Sequence, residues 1–298
     1  MTRDVRPEPA PEGPGNPRPR VVVLIPVYNG QKDFDLTLES LSRSSEPCDV
    51  VVVDDGSKPP VDVSRYRVHL IRLGKNIGPI PAANTGLRYI LTQDYEFVAR
   101  SDAGDLSAEN RLARQIAYMD NHPECMLVGS DTDVFRGDDY QFTLRPPRDT
   151  RRLQSGLREH SWLLHSTLLF RTAVLRELGV YSEKYLAAED HEICLRIATS
   201  HAVGVVPETL VTTIFTAQGI TFQKRRVQLI SRIRIQLLYF RWTALRSWTG
   251  LFKSLLSITL PASFVRWLKR TFLYDRMAIP AARVGSAAVA THKKASGA

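Results

Sequence analysis

Residues 21–57 read VVVLIPVYNGQKDFDLTLESLSRSSEPCDVVVVDDGS, and the fold follows from this stretch. Val21-Val-Val-Leu-Ile25 is a continuous apolar, β-branched run, the pattern of a strand buried on both faces of a parallel sheet, and Pro26 ends it. Residues 33–45 place Leu36, Leu38 and Leu41 at helical spacing among polar positions. Val50-Val-Val-Val53 is a second buried strand, stopped by Asp54-Asp-Gly-Ser57. Strand, helix and strand form a βαβ unit, whose right-handed crossover brings both strand C-termini to one edge.

The alternation continues downstream. The pattern predicts strands at His69–Leu73, Phe97–Arg100 and Cys125–Ser130, and helices near 81–92, 107–121, 172–178 and 189–200. In open α/β sheets, ligands bind where strand carboxyl ends meet their loops. Three polar loops hold that position here: Pro26–Gly30, Asp54–Ser57 and Asp102–Asp105. They are expected to face one cleft. Asp and Gly also serve as plain turn formers and helix caps, so one such loop alone does not make a site. Carboxylates gathered on one cleft repel each other, and a divalent cation or a ligand's donors would relieve that repulsion.

Order and spacing together carry a resemblance. Ile25-Pro-Val-Tyr-Asn29, Val53-Asp-Asp-Gly-Ser57, Asn76-Ile-Gly78 with Asn84-Thr-Gly86, Ala99-Arg-Ser-Asp-Ala-Gly-Asp105, Arg111 with Gln115, His165, and Ala188-Glu-Asp190 run in the order found in family 2 glycosyltransferases. The chain resembles that family from about Val21 to Arg226. The resemblance implies a GT-A fold: a Rossmann-like, mainly parallel sheet flanked by helices. It also implies inverting transfer of a sugar from a nucleoside-diphosphate donor (a UDP-, dTDP- or GDP-sugar) to a glycan or lipid-linked acceptor hydroxyl, as in bacterial surface-polysaccharide synthesis.

The resemblance also distributes the roles. Pro26, Tyr28, Asn29, Asp54, Asp55, Asn76, Asn84, Arg100, Asp102 and His165 are assigned to the nucleotide sugar. Asp102 and Asp105 correspond to the family's metal loop, where Mg²⁺ or Mn²⁺ neutralises charge on the leaving diphosphate. Gly104 stands where the commoner form of that loop carries an Asp, which leaves ligation resting on Asp105, with Asp102 nearer the ribose. Asp190 is the expected general base and Glu189 a positioning group; taken alone, the same pair reads as an acidic helix start favoured by the dipole. Nucleotidyl transfer is a competing reading, but no Gly-rich phosphate loop follows the first strand. A non-catalytic binding protein is another.

Composition bounds the rest. The 298 residues are 43% hydrophobic and 24% charged, which excludes a wholly disordered chain. Cys48, Cys125 and Cys194 lie far apart, so neither a disulfide framework nor a zinc cluster is expected. Residues 1–19 contain six prolines and read as a disordered leader, followed by a catalytic domain over 20–222. The net charge of +9 is unevenly placed: residues 224–298 hold 15 Lys/Arg and one acid, Asp275. A long basic helix from Gln223 to about Arg246 is expected, then a second basic-apolar segment to Arg276, the two forming an amphipathic helical extension over 223–276, with 277–298 frayed. Trp242, Trp248, Phe252, Phe264, Trp267 and Phe272 alternate with cations there, the composition of an interfacial helix. The expectation is a cytoplasmic protein held peripherally on the anionic inner face of the cell membrane. Nucleic acid is not an expected partner, because the acidic loops would repel phosphate.

Overall fold

The computed structural model describes residues 18–185, 187–215 and 225–260. Along the chain run β1 (Val21–Val27), α1 (Gln31–Ser42), β2 (Cys48–Asp54), β3 (His69–Arg72), α2 (Pro79–Leu91), β4 (Phe97–Arg100), β5 (Leu106–Ser107), α3 (Arg111–Asn121), β6 (Cys125–Arg136) and β7 (Asp139–Leu144). There follow α4 (Thr150–Gly156), a 3-10 turn (His165–Thr167), β8 (Leu169–Arg171), α5 (Thr172–Leu178), α6 (Glu189–Ser200), β9 (Ala202–Phe215), α7 (Arg225–Leu238) and α8 (Leu245–Thr259).

The strands form one sheet in the order β3-β2-β1-β4-β8-β6-β9-β5, with β7 paired to β6. The first four positions are parallel, as the βαβ reading requires. The other half adds antiparallel pairs, because the short β8 enters between β4 and β6 against both of them. Both faces are covered, which is why β1 reads as an unbroken apolar run. Val21, Val23 and Ile25 pack with Phe34, Leu38 and Leu112 on one face, whereas Val22 and Leu24 pack with Ala83, Leu87 and Ile90 on the other.

Several boundaries differ from the sequence reading, each for a visible reason. β1 does not stop at Pro26. Pairing with β4 ends at Leu24–Arg100, so no ladder partner remains beyond it on the β4 side for the N–H that Pro26 lacks. The helix expected from 107 starts at Arg111, because Leu106 and Ser107 pair instead with β9. The strand expected to stop at Ser130 continues to Arg136 alongside β9.

The basic helix expected from 223 to about 246 ends earlier, at Leu238, and the second segment begins as α8 at Leu245; residues 223 and 224 lie outside the described residues. The backbone turns at 239–244, where Arg241 N–H donates to Ser247 Oγ (3.2 Å) and the rings of Phe240, Trp242 and Trp248 pack edge to face. Nor does α7 stand apart from the body: Ile235 is fully buried in the core cluster that holds Ile193 and Leu157. The Tyr239 hydroxyl donates to Glu192 of α6 (2.8 Å), and Arg158 donates to the Tyr239 carbonyl (2.8 Å). Among the described residues, no helix is long and apolar enough to cross a membrane. Phe264, Trp267, Phe272, residues 1–17 of the leader and the end of the chain lie outside the described residues.

Candidate active site

The loops leaving β1, β2 and β4 are tied to one another at the carboxyl edge of the sheet. Asn29, held at φ 58°, donates its backbone N–H to Ser57 Oγ (2.8 Å) and accepts from Lys58 N–H at its side-chain oxygen (3.0 Å). Asp54 is buried, and its two carboxylate oxygens accept from the N–H groups of Ser57 (2.9 Å) and Val61 (3.2 Å), bracing its own loop. Asp55, equally buried, reaches instead to the next segment and accepts from Ile77 N–H (2.7 Å) and Gly78 N–H (2.9 Å). Burial pushes the Asp55 carboxyl up, against those two hydrogen bonds. Pro26 lies at the end of β1, half-buried; Tyr28 is exposed beyond it, and Asn76 is exposed on the loop that Asp55 holds.

Asn84 is not on this edge. It is buried on α2, where its amide pairs with the backbone N–H (3.0 Å) and C=O (2.9 Å) of Tyr181. That clamp fixes Tyr181, whose hydroxyl meets His165 Nε2 at 2.6 Å. Asn84 therefore reaches the site only through Tyr181 and His165. Burial and the Arg100 charge hold His165 at about 3, hence neutral, so its 3.9 Å approach to Asp102 is not an ion pair.

Around β4, Arg100 is almost wholly buried and donates to the carbonyls of Leu24 (3.0 Å) and Ser101 (2.7 Å) and to Asp102 Oδ1 (2.7 Å). Its Nε, also buried, has no partner. Partial burial pushes Asp102 up, but the Arg100 charge and the hydrogen bonds from Ser166 and Arg100 outweigh it and hold the carboxyl below its ordinary value. Asp105 points inward and accepts from the Ser166 hydroxyl. Burial, and then the charge of Asp102, push it up to about 7.

Thr37 of α1 holds this loop together, donating to Asp105 C=O (2.9 Å) and accepting from Gly104 N–H (2.9 Å). Behind it, Arg111 donates to the Arg100 carbonyl (2.9 Å) and to Gln115 (3.1 Å), and Gln115 donates to the Thr167 carbonyl (2.7 Å). Gly104 sits at φ +100°, a region that L side chains seldom enter, so the turn itself asks for glycine at this position.

Glu189 and Asp190 open α6 after Ala188, which is held left-handed at φ 66°. That conformation is costly for a residue with a Cβ and marks a constrained position. Asp190 Oδ1 accepts from His191 N–H (2.7 Å). Burial pushes Asp190 up to about 6, with the His191 N–H and the cation of Arg232 opposing and the charge of Asp102 adding to it. Glu189 rises to about 7, from burial and then repulsion by Asp190; Asp102 and Arg100 also act on it. The acidic pair and the β4 loop therefore share one electrostatic field.

Thr37, Ser166, Tyr181 and Arg232 were not singled out from sequence. Three are uncharged residues in ordinary helical or turn contexts. Arg232 lies in a run of similar cations and is distinguished only by where α7 docks.

The residues of the β4 loop bear on how a divalent ion would be held. Asp102 is the open carboxylate, its side chain 43% exposed, with Oδ1 already on Arg100. Asp105 is turned away to Ser166, and Gly104 has no side-chain ligand to offer. Among the described residues, no three His, Cys, Asp or Glu side chains gather as a metal site. These residues fit an ion shared between Asp102 and a bound diphosphate, the way Mg²⁺ is commonly held, and not a protein-only cage.

The model of glycosyl transferase family 2 matches residues 22–179, over half of the chain. The chain belongs to that family. It is 31% identical over 202 residues to the amylovoran biosynthesis glycosyltransferase AmsE of Erwinia amylovora, covering 63% of this chain and 73% of that one. It is 27% identical over 194 residues to the putative glycosyltransferase EpsE of Bacillus subtilis, covering 61% and 67%. Among solved structures, S. aureus TarS in complex with UDP-GlcNAc superposes with TM-score 0.62 at 19% identity, covering 84% of this chain and 78% of TarS. The mannosyltransferase PcManGT of Pyrobaculum calidifontis, with GDP-Man and Mn²⁺, gives 0.57 at 18%, covering 99% and 83%. The fold is that of GT-A glycosyltransferases. The protein is a glycosyltransferase, which sets aside nucleotidyl transfer and a purely non-catalytic role.

Proposed function

We propose that this glycosyltransferase moves a sugar, with inversion, from a nucleoside diphosphate onto an acceptor hydroxyl, with Asp190 as general base. The observation that carries the reading is the placement of the acidic pair. A carboxylate at the strained start of α6, pushed up to about 6, shares a field with the strand-end loop of Arg100 and Asp102. A base with a pKa near working pH is both ionised and able to take a proton. In a single displacement the acceptor oxygen attacks C1, the bond from C1 to the diphosphate oxygen breaks, and the acceptor proton passes to Asp190. Glu189 orients the acceptor.

The donor lies along the joined β1, β2 and β4 loops. Tyr28 offers an exposed ring for the base, and the Asp55-anchored segment with Asn76 closes beside it. The Arg100 cation next to Asp102 stabilises charge arriving on the leaving diphosphate. A divalent cation (Mn²⁺ or Mg²⁺), held by Asp102 together with the diphosphate, supplies further neutralisation when bound. Neighbours in complex with UDP-GlcNAc and with GDP-Man support a nucleotide-sugar donor, and the AmsE relative, named for amylovoran biosynthesis, supports a place in polysaccharide synthesis; the acceptor we propose is a glycan or lipid-linked hydroxyl. Asp190→Asn should abolish transfer while leaving nucleotide binding, followed by calorimetry, within about twofold of the parent. Retained turnover would overturn the assignment.

A further inference from the structure

Helix α8 is amphipathic in the wrong sense for a protein in water. Its inward side is small and polar: Ser247 and Ser254 are each 3% exposed, and a Cβ on Gly250 would stand 2.7 Å from the Arg158 carbonyl oxygen. The outward side is large and apolar. Leu245 (76% exposed), Trp248, Phe252 (67%) and Leu255 recur at spacings of three and four, so they form one stripe, and Trp242 (77%) extends it from the preceding turn. Nothing in the cores beneath requires these side chains to be large.

Charge decides what covers the stripe. From Arg225 to Leu260 the chain carries seven Lys/Arg and no Asp or Glu, with Arg241, Arg246 and Lys253 interleaved among the exposed rings. Glu159 pairs with both Arg246 and Lys253 and offsets only one of their charges, and Arg241 adds a third cation, so a second copy placed on this face would still bring two net cationic surfaces together. An anionic bilayer complements both features. Its headgroups attract the cations, and the interfacial zone accepts Trp and Phe, which place an apolar body and a polar edge at that depth.

We infer that the outer face of α8, with Trp242, is a docking surface for an anionic phospholipid membrane. The helix lies in the plane of the interface while α7 anchors it to α6 through Tyr239 and Glu192, so docking is coupled to the element that carries the proposed base. The inference stands apart from the transfer reading and needs no catalysis.

The test is co-sedimentation of the full chain with vesicles of phosphatidylcholine, with or without phosphatidylglycerol. Binding is expected to the anionic vesicles, to weaken with salt, and to fall at least tenfold in Phe252→Glu/Leu255→Glu; both positions are exposed, and an unchanged melting transition checks the fold. Tryptophan fluorescence of the unmodified chain should be quenched by bromine-labelled phosphatidylglycerol, and less so in Trp248→Phe. Asp190→Asn should bind vesicles like the parent, which separates this inference from the catalytic one. No vesicle binding, equal binding by the double variant, or a self-associated parent that the double variant renders monomeric would each overturn it.

Discussion

Replacing Asp190 by Asn should stabilise the protein as well as silence it. The folded chain raises this carboxyl from 3.8 to about 6, with burial as the first cause. The sign follows from linkage. Below about pH 4 the group is protonated in both states, and the shift costs nothing. As pH rises from there through about 6, the unfolded chain releases its proton while the folded chain still holds it, so stability is lost progressively; the loss is complete above the folded value. Roughly two pH units at ~1.4 kcal/mol each set an upper bound of about 3 kcal/mol. Coupling to Glu189 and partial solvent access reduce this to about 1–2 kcal/mol. Asn keeps an oxygen for the His191 N–H, so no donor is orphaned.

For a domain of this size the gain corresponds to a melting temperature about 3–6 °C above the parent at pH 8, shrinking towards zero near pH 4. Thermal denaturation of both proteins across that range, read beside transfer assays, makes the comparison. Equal or lower stability of Asp190→Asn at pH 8 would refute the reasoning, because the carboxylate would then not be desolvated and its fitness as a base would lose its physical ground.

Other outcomes follow from individual contacts. Arg232→Met removes a cation that opposes the rise of Asp190, so the acidic limb of the rate profile should move about half a pH unit higher, and Arg232→Lys should restore it. Asp55→Asn leaves one of the Ile77 and Gly78 N–H groups without its acceptor; nucleotide affinity measured by calorimetry should fall about tenfold. Gly104→Ala forces a Cβ into φ +100° and should cost about 1–2 kcal/mol in denaturant unfolding. Calorimetric titration of UDP and GDP should show that Mn²⁺ strengthens binding in the parent and not in Asp102→Ala, whereas Asp105→Ala should chiefly lower the melting temperature.

Legibility differed between parts of the chain according to how local the signal was. The β1, β2 and β4 strands could be read because burial on both faces leaves an unbroken apolar run, and their loops because Asp and Gly cluster where such strands must end. β8 could not be read: three residues, Leu169–Arg171, carry no periodicity, and only the edges of β4 and β6 make them a strand. The place of the break between α7 and α8 was hidden for a related reason. Residues 239–244 contain no Gly or Pro, and the turn is formed by ring packing and the Ser247 hydroxyl.

The sequence by itself determined the family, the parallel half of the sheet and the carboxylates that could serve chemistry, since each rests on residue types at short spacing. Only the tertiary structure decided how those carboxylates divide their work. Asp54 and Asp105 look equivalent to Asp55 and Asp102 in sequence, yet Asp54 spends its oxygens on its own loop and Asp105 turns inward to Ser166. Asp102 stays open beside Arg100. Likewise, no local pattern shows that α7 belongs to the body while α8 turns its apolar stripe outward. Burial and hydrogen-bond pairing are properties of distant segments meeting, and spacing along one segment does not carry them.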